Sequence, residues 1–110
     1  MILTTLIVDD EEGSRQTLRH FLERYCPAVQ VIGEADSVAA AVTAIEQHEP
    51  MLVFLDINMP KDNGFALFRE IPQPRFQTIF VTAYDHYALQ AIRQHALDYI
   101  LKPVNVQDLI

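Results

Sequence analysis

Met51-Leu52-Val53-Phe54-Leu55-Asp56 sets five apolar residues in a row ahead of a carboxylate. A run without polar alternation marks a strand covered on both faces, the condition of a central strand in a parallel sheet. The same pattern recurs on either side. Leu6-Ile7-Val8 precedes Asp9-Asp10, Thr78-Ile79-Phe80-Val81 precedes Thr82, and Leu97-Asp98-Tyr99-Ile100-Leu101 precedes Lys102. Helical patterns separate these runs, and strand and helix in alternation build βαβ units and a parallel sheet.

Five strands are expected, the first around Leu6-Ile7-Val8 and the others over residues 29–35, 51–55, 77–81 and 97–101. Five helices are expected with them, over residues 12–25, from Ser37 to 48, over 65–70 and 85–95, and from 104 onward. The first helix places Leu18, Phe21, Leu22 and Tyr25 at helical spacing, and its acidic start suits the positive end of the helix dipole. Ser37 is a natural N-cap for the Ala-rich second helix. The segment Asn58-Met59-Pro60-Lys61-Asp62-Asn63-Gly64 is rich in turn formers and is expected as a loop. The implied fold is α/β, a flavodoxin-like doubly wound sheet of five parallel strands in the order 2-1-3-4-5 with helices on both faces.

In open sheets of this kind ligands bind outside the carboxyl ends of the strands. Asp9, Asp10, Asp56, Thr82 and Lys102 therefore gather at one edge. Three carboxylates, a hydroxyl and an ammonium suit a divalent cation and a phosphoryl group. A single Asp after a strand reads as readily as a helix cap, but three converging with a lysine do not.

Composition narrows the function. The 110 residues suit one domain, since domains cluster near roughly 100–150 residues. A net charge of −7, with Lys61 and Lys102 the only lysines, argues against a nucleic-acid surface on this segment. The apolar start has no basic flank and runs straight into Asp-Asp-Glu-Glu, so neither a signal peptide nor a membrane span is written there, and a cytoplasmic location is expected. The single Cys26 fits a reducing compartment. His20, His48, His86 and His95 share no metal-ligand spacing.

Asp9-Asp10, Asp56-Ile57-Asn58-Met59-Pro60 with Gly64, Thr82-Ala83 and Lys102-Pro103 together resemble the receiver domain of two-component response regulators, over nearly the whole chain. The stretches from Thr82 to Leu89 and from Ala96 to Val104 are similar to receivers that precede a LytTR-type DNA-binding domain. The resemblance implies that residues 1–110 are a receiver domain and that Asp56 accepts phosphate from a sensor histidine kinase, with Mg²⁺ or Mn²⁺ as cofactor. It makes Asp10 a direct metal ligand beside Asp56 and the backbone carbonyl of Asn58, with Asp9 acting partly through water. Lys102 and Thr82 would contact phosphoryl oxygens, Thr82 and Tyr99 would form the switch, and Asn58 and Tyr84 would modulate the lifetime of the phosphate. It also implies a cis Lys102-Pro103 bond and a homodimer through the fourth helix, fifth strand and fifth helix. The apolar end Leu109-Ile110 carries no helix stop, so the last helix is expected to be incomplete and a C-terminal output domain, the DNA-binding part, to lie outside the chain.

Three rivals are weaker. A metal-dependent phosphatase with an Asp nucleophile usually spaces its two Asp residues two apart after the first strand and needs a cap domain, whereas Asp9 and Asp10 are adjacent here. Glycines at 13, 33 and 64 permit no phosphate-binding glycine motif. A degenerate receiver acting only as a binding domain would not need every key position filled.

Overall fold

The structure is a computed structural model and describes residues 2–59, 62–83 and 96–109. The central strand, β3 (Leu52–Leu55), is buried along its whole length. It lies between β1 (Leu3–Val8) and β6 (Gln77–Thr82), with β2 (Val29–Ala35) and β7 (Asp98–Leu101) outside them. All of these pairings are parallel and the order is β2-β1-β3-β6-β7. Counting the strands of this sheet alone, that is the expected 2-1-3-4-5. The two intervening numbers belong to a short antiparallel hairpin, β4 (Asn58–Met59) and β5 (Asp62–Asn63), where the sequence suggested only a loop.

Period-two alternation along each strand divides the core between the two faces of the sheet. Leu6, Val8, Val53, Leu55 and Phe80 face α2 (Val38–His48) and the segment after the hairpin, where Phe65, Leu67 and Phe76 are buried. Ile7, Leu52, Phe54, Val81 and Ile100 face α1 (Glu12–Tyr25) through Leu18 and Leu22, and Leu109 of the last helix, α4 (Val106–Leu109), packs on the same cluster. Each large aliphatic side chain removed from water in this way contributes about 2 kcal/mol.

Local chemistry sets the element ends. The Ser37 hydroxyl accepts from the Ala40 amide at 3.1 Å and starts α2, which stops where Glu49 turns left-handed at φ 45° ahead of Pro50. Leu18 and Leu22 point inward from α1 as expected, but Tyr25 is 42% exposed and lies under the Arg24 guanidinium, 5.7 Å from its ring centre. The third helix opens as a 3-10 turn (Gly64–Ala66) before α3 (Leu67–Glu70), and the Asn63 side chain accepts from the Phe65 amide at 2.8 Å. The expected helix over 85–95 and Tyr84 lie outside the described residues. Among the described residues no helix is long and apolar enough to cross a membrane.

Candidate functional site

Register brings the site together. Val8 pairs with Leu55 and Leu55 with Phe80, so β1 and β3 finish in one row and hand on to Asp9 and Asp56 side by side. On the far side Thr82 pairs with Leu101, and the Lys102 amide donates to the Thr82 carbonyl at 2.7 Å. One carboxylate oxygen from each of Asp9, Asp10 and Asp56 lies within 4.8 Å of the others. Asp9 and Asp56 are buried and Asp10 is half-buried at the mouth.

The Lys102 ammonium projects between the buried carboxylates, donating to Asp9 Oδ2 at 2.8 Å and to Asp56 Oδ2 at 3.4 Å. Glu11 stands further off, 3.9 Å from the same nitrogen. Burial pushes the Asp56 carboxyl up to about 6. Lys102 pulls the other way and the Asp9 charge adds to the rise. For Lys102 burial works against the charged form, but the hydrogen bond to Asp9 and the charge of Asp56 outweigh it and hold the ammonium above its ordinary value. Among the described residues, the three carboxylates against the Lys102 ammonium leave net negative charge in a largely buried recess. A hard cation with oxygen ligands resolves that imbalance, so the residues present fit a magnesium-type ion.

The remaining contacts fix the surroundings of Asp56. Asp56 Oδ1 accepts from the Asn58 amide at 3.2 Å, and the Asp56 amide donates to the Val8 carbonyl at 2.9 Å. Gly64 closes over this turn. Its amide donates to the Ile57 carbonyl at 2.6 Å, and a β-carbon there would collide with the Asp56 carbonyl and come within 2.9 Å of Ile57 Cα. The glycine is required by this close approach of two backbones. Thr82 is fully buried. Tyr99 is half-buried, with its ring 6.4 Å from that of Phe80, and Phe80 in turn packs at a tilt against Phe65, 4.9 Å between ring centres. The Lys102–Pro103 bond is cis, as the resemblance implies.

Of the residues expected at the site, Asp9 and Asp56 both bond Lys102, Asp10 brings a carboxylate oxygen within 4.8 Å of theirs, Asn58 joins through its amide, and Thr82 lies one strand away. Tyr84 is outside the described residues. Sequence reasoning passed over Arg15, whose guanidinium Nη1 donates to the Asp9 carbonyl at 2.7 Å. The available signal was a basic residue one turn into a helix that begins with acids. A groove of about 760 Å³ lined by Val42, Ile45, Met51, Ile71 and Phe76 opens beside the start of β3, at the opposite end from the carboxylates.

A parallel five-stranded sheet with an acidic cluster and a lysine at its carboxyl edge defines a receiver-type signalling domain. The profile of the response regulator receiver domain matches residues 5–110, and the chain belongs to that family. It is 44% identical over 112 aligned positions to the sensory transduction protein LytT of Bacillus cereus, covering 99% of this chain and 45% of that protein. It is 42% identical over 104 residues to an uncharacterized response regulatory protein of Vibrio cholerae, covering 93% and 40%. Among solved structures, the response regulatory domain of mrkE from Klebsiella pneumoniae superposes with a TM-score of 0.87 at 27% identity, covering 98% of this chain and 89% of that one. The REC domain of AraT from Geobacillus stearothermophilus gives 0.85 at 30% identity, covering 99% and 88%. The chain spans less than half the length of the curated relatives it matches.

Proposed function

We propose that this receiver domain takes a phosphoryl group on Asp56 from a phosphohistidine of a sensor kinase and relays the change to an output domain. The observation that carries the reading is the convergence of the Asp9, Asp10 and Asp56 carboxylates, with the Lys102 ammonium bonded to Asp9 and Asp56. In the reaction an Asp56 carboxylate oxygen attacks phosphorus, a P–O bond forms as the P–N bond of the donor breaks, and the imidazole leaves with its electron pair. The chain's contribution is alignment. The Asn58 amide holds one carboxylate oxygen, and the other is the one nearest Lys102.

Asp10, Asp56 and the backbone carbonyl of Asn58 would hold Mg²⁺, or Mn²⁺ in its place, with Asp9 acting partly through water. Bound there, the ion supplies positive charge against the developing charge on the phosphoryl oxygens. Lys102 exchanges part of its contact with Asp56 for a phosphoryl oxygen, and the Thr82 hydroxyl bonds another. Movement of Thr82 is coupled to Tyr99, whose ring lies against Phe80. Asn58 and Tyr84 flank the phosphoryl group and set how fast water removes it, so the domain assists its own phosphorylation and dephosphorylation without being an enzyme on other substrates.

The unit of this signalling is the receiver domain over residues 1–110, working in the cytoplasm. Its excess of acidic residues keeps DNA off the domain itself, and control of transcription falls to a DNA-binding output domain, a reading supported by the 36% identity to the transcriptional regulatory protein BtsR of Escherichia coli. Phosphorylation favours a homodimer through the face that includes β7, where Leu97 and Leu101 are exposed. The test is intact mass after incubation with acetyl phosphate and Mg²⁺. One phosphoryl group added to the wild type and none to Asp56→Ala is the expected result, and undiminished labelling of Asp56→Ala overturns the assignment.

A further inference from the structure

Asp9 is pinned on both sides of its backbone. Its amide donates to the Ala35 carbonyl at 3.0 Å, and its own carbonyl accepts from Arg15 Nη1 at 2.7 Å. Arg15 is itself held. Its Nε donates to Glu34 Oε1 at 3.0 Å, and the second Glu34 oxygen accepts from Arg19 Nη1 at 2.7 Å. Arg19 is steadied in turn by Glu23 at 3.2 Å, one turn along α1. Glu34 and Ala35 are neighbours at the end of β2, so one strand end grips Asp9 through its backbone and through this relay of side chains. The Arg15 side chain is only 16% exposed, which shelters its hydrogen bonds from water.

We infer that Arg15, clamped by Glu34, is a positioning residue for the Asp10 carboxylate and thereby sets the affinity of the site for its divalent cation. The inference rests on the function proposed above. A peptide unit is planar, so fixing the direction of the Asp9 carbonyl also fixes the Asp10 amide and the placement of its α-carbon. Asp9 needs no such help from Arg15 for its side chain, because Lys102 and the Glu11 amide already hold both carboxylate oxygens. Among the described residues the Asp10 carboxylate has no comparable tether, and the charges of Asp9 and Asp56 push it toward solvent. A planar guanidinium that bonds a carbonyl with one nitrogen and a carboxylate with another does what a flexible ammonium does not. Outer groups that orient metal ligands are typically worth about 10–100-fold in affinity.

Electrostatics alone makes the opposite prediction, which renders the idea testable. Removing a positive charge near three carboxylates should tighten cation binding, whereas releasing the loop should weaken it. Isothermal titration of Mg²⁺ into the metal-free chain is therefore run on wild type, Arg15→Gln, Arg15→Lys and Glu34→Gln, with circular dichroism melting as a check on folding. Positioning predicts a Kd raised about tenfold in Arg15→Gln, no full rescue by Arg15→Lys, and a smaller rise in Glu34→Gln. Labelling by acetyl phosphate should return to the wild-type level when Mg²⁺ is saturating, a split that a general loss of structure would not produce. An unchanged or lower Kd in Arg15→Gln, or full rescue by Arg15→Lys, overturns the inference and leaves the phosphoacceptor reading intact. Should Arg15→Gln fail to fold, Glu34→Gln decides alone, and wild-type affinity there overturns it. Wild type that binds no Mg²⁺ at all removes both.

Discussion

The Lys102 ammonium and the Asp9 carboxylate, 93 residues apart in the chain, are 2.8 Å apart in space. Lys102 thus serves a buried acid that shares the site with Asp56, and its removal strands both carboxylates in a recess with little water. Lys102→Met should cost about 2 kcal/mol, below the usual cost of breaking a fully buried pair because the lysine is partly exposed. Urea unfolding at pH 7.5 in the presence of chelator checks this, and an unchanged midpoint would show that solvent already screens the pair.

Asp56 leads to a stability change of opposite sign. Its carboxyl is raised from an ordinary 3.8 to about 6 in the folded chain, so between those values the folded state holds a proton that the unfolded state has released. Stability from this group therefore falls as pH rises through that window, and the penalty is complete above it. In chelator, Asp56→Asn should be more stable than wild type at pH 7.5 by about 2–3 kcal/mol, with the gap closing toward pH 4. Equal stabilities at both pH values would contradict the burial of an ionised carboxylate.

Gly64→Ala tests the backbone contact beneath Asp56. A β-carbon has no room against the Asp56 carbonyl, and the obstacle is main chain that cannot rotate away. The expected loss is about 2 kcal/mol or more, in the range of overpacked cores, with slower acetyl phosphate labelling even at saturating Mg²⁺. Wild-type stability together with wild-type labelling would mean that the loop yields freely.

Phe80 is the aromatic centre of one face, in contact with Phe65, Phe68 and Tyr99. Phe80→Ala should cost about 4 kcal/mol through lost burial and the cavity left behind. Phe80→Leu should retain most of the stability but loosen Tyr99, which fluorescence anisotropy of the tyrosines or NMR of the ring can report. No change in the Tyr99 signals of Phe80→Leu would uncouple the two rings.

The helix cap offers a control remote from the carboxylates. Ser37→Ala removes the acceptor for the Ala40 amide and should destabilise by about 1 kcal/mol without altering Mg²⁺ affinity. A change in that affinity would show that α2 and the site are coupled more tightly than the contacts suggest.

Legible in the sequence were the strands, the burial of the central one apart from Met51, which is exposed and precedes it, and the edge at which the acids collect. An uninterrupted apolar run of strand length such as Leu52–Leu55, set between helical patterns, suits the middle of a sheet covered on both faces, and a carboxylate just past its end then emerges at the carboxyl edge. Ser37 was legible as a cap for the same kind of reason, because its partner lies three residues away. The hairpin at Asn58–Met59 and Asp62–Asn63, the 3-10 start at Gly64 and the exposure of Tyr25 were not, since each depends on what the rest of the chain packs against that segment. Tertiary structure alone decided that Lys102 sits closer to Asp9 than to Asp56, that Gly64 presses on the Asp56 carbonyl, and that Arg15 reaches the Asp9 backbone with Glu34 behind it. Hydrogen bonds and steric overlap are set within a few tenths of an ångström. The register of parallel strands supplies that precision, joining residues that local pattern leaves tens of positions apart.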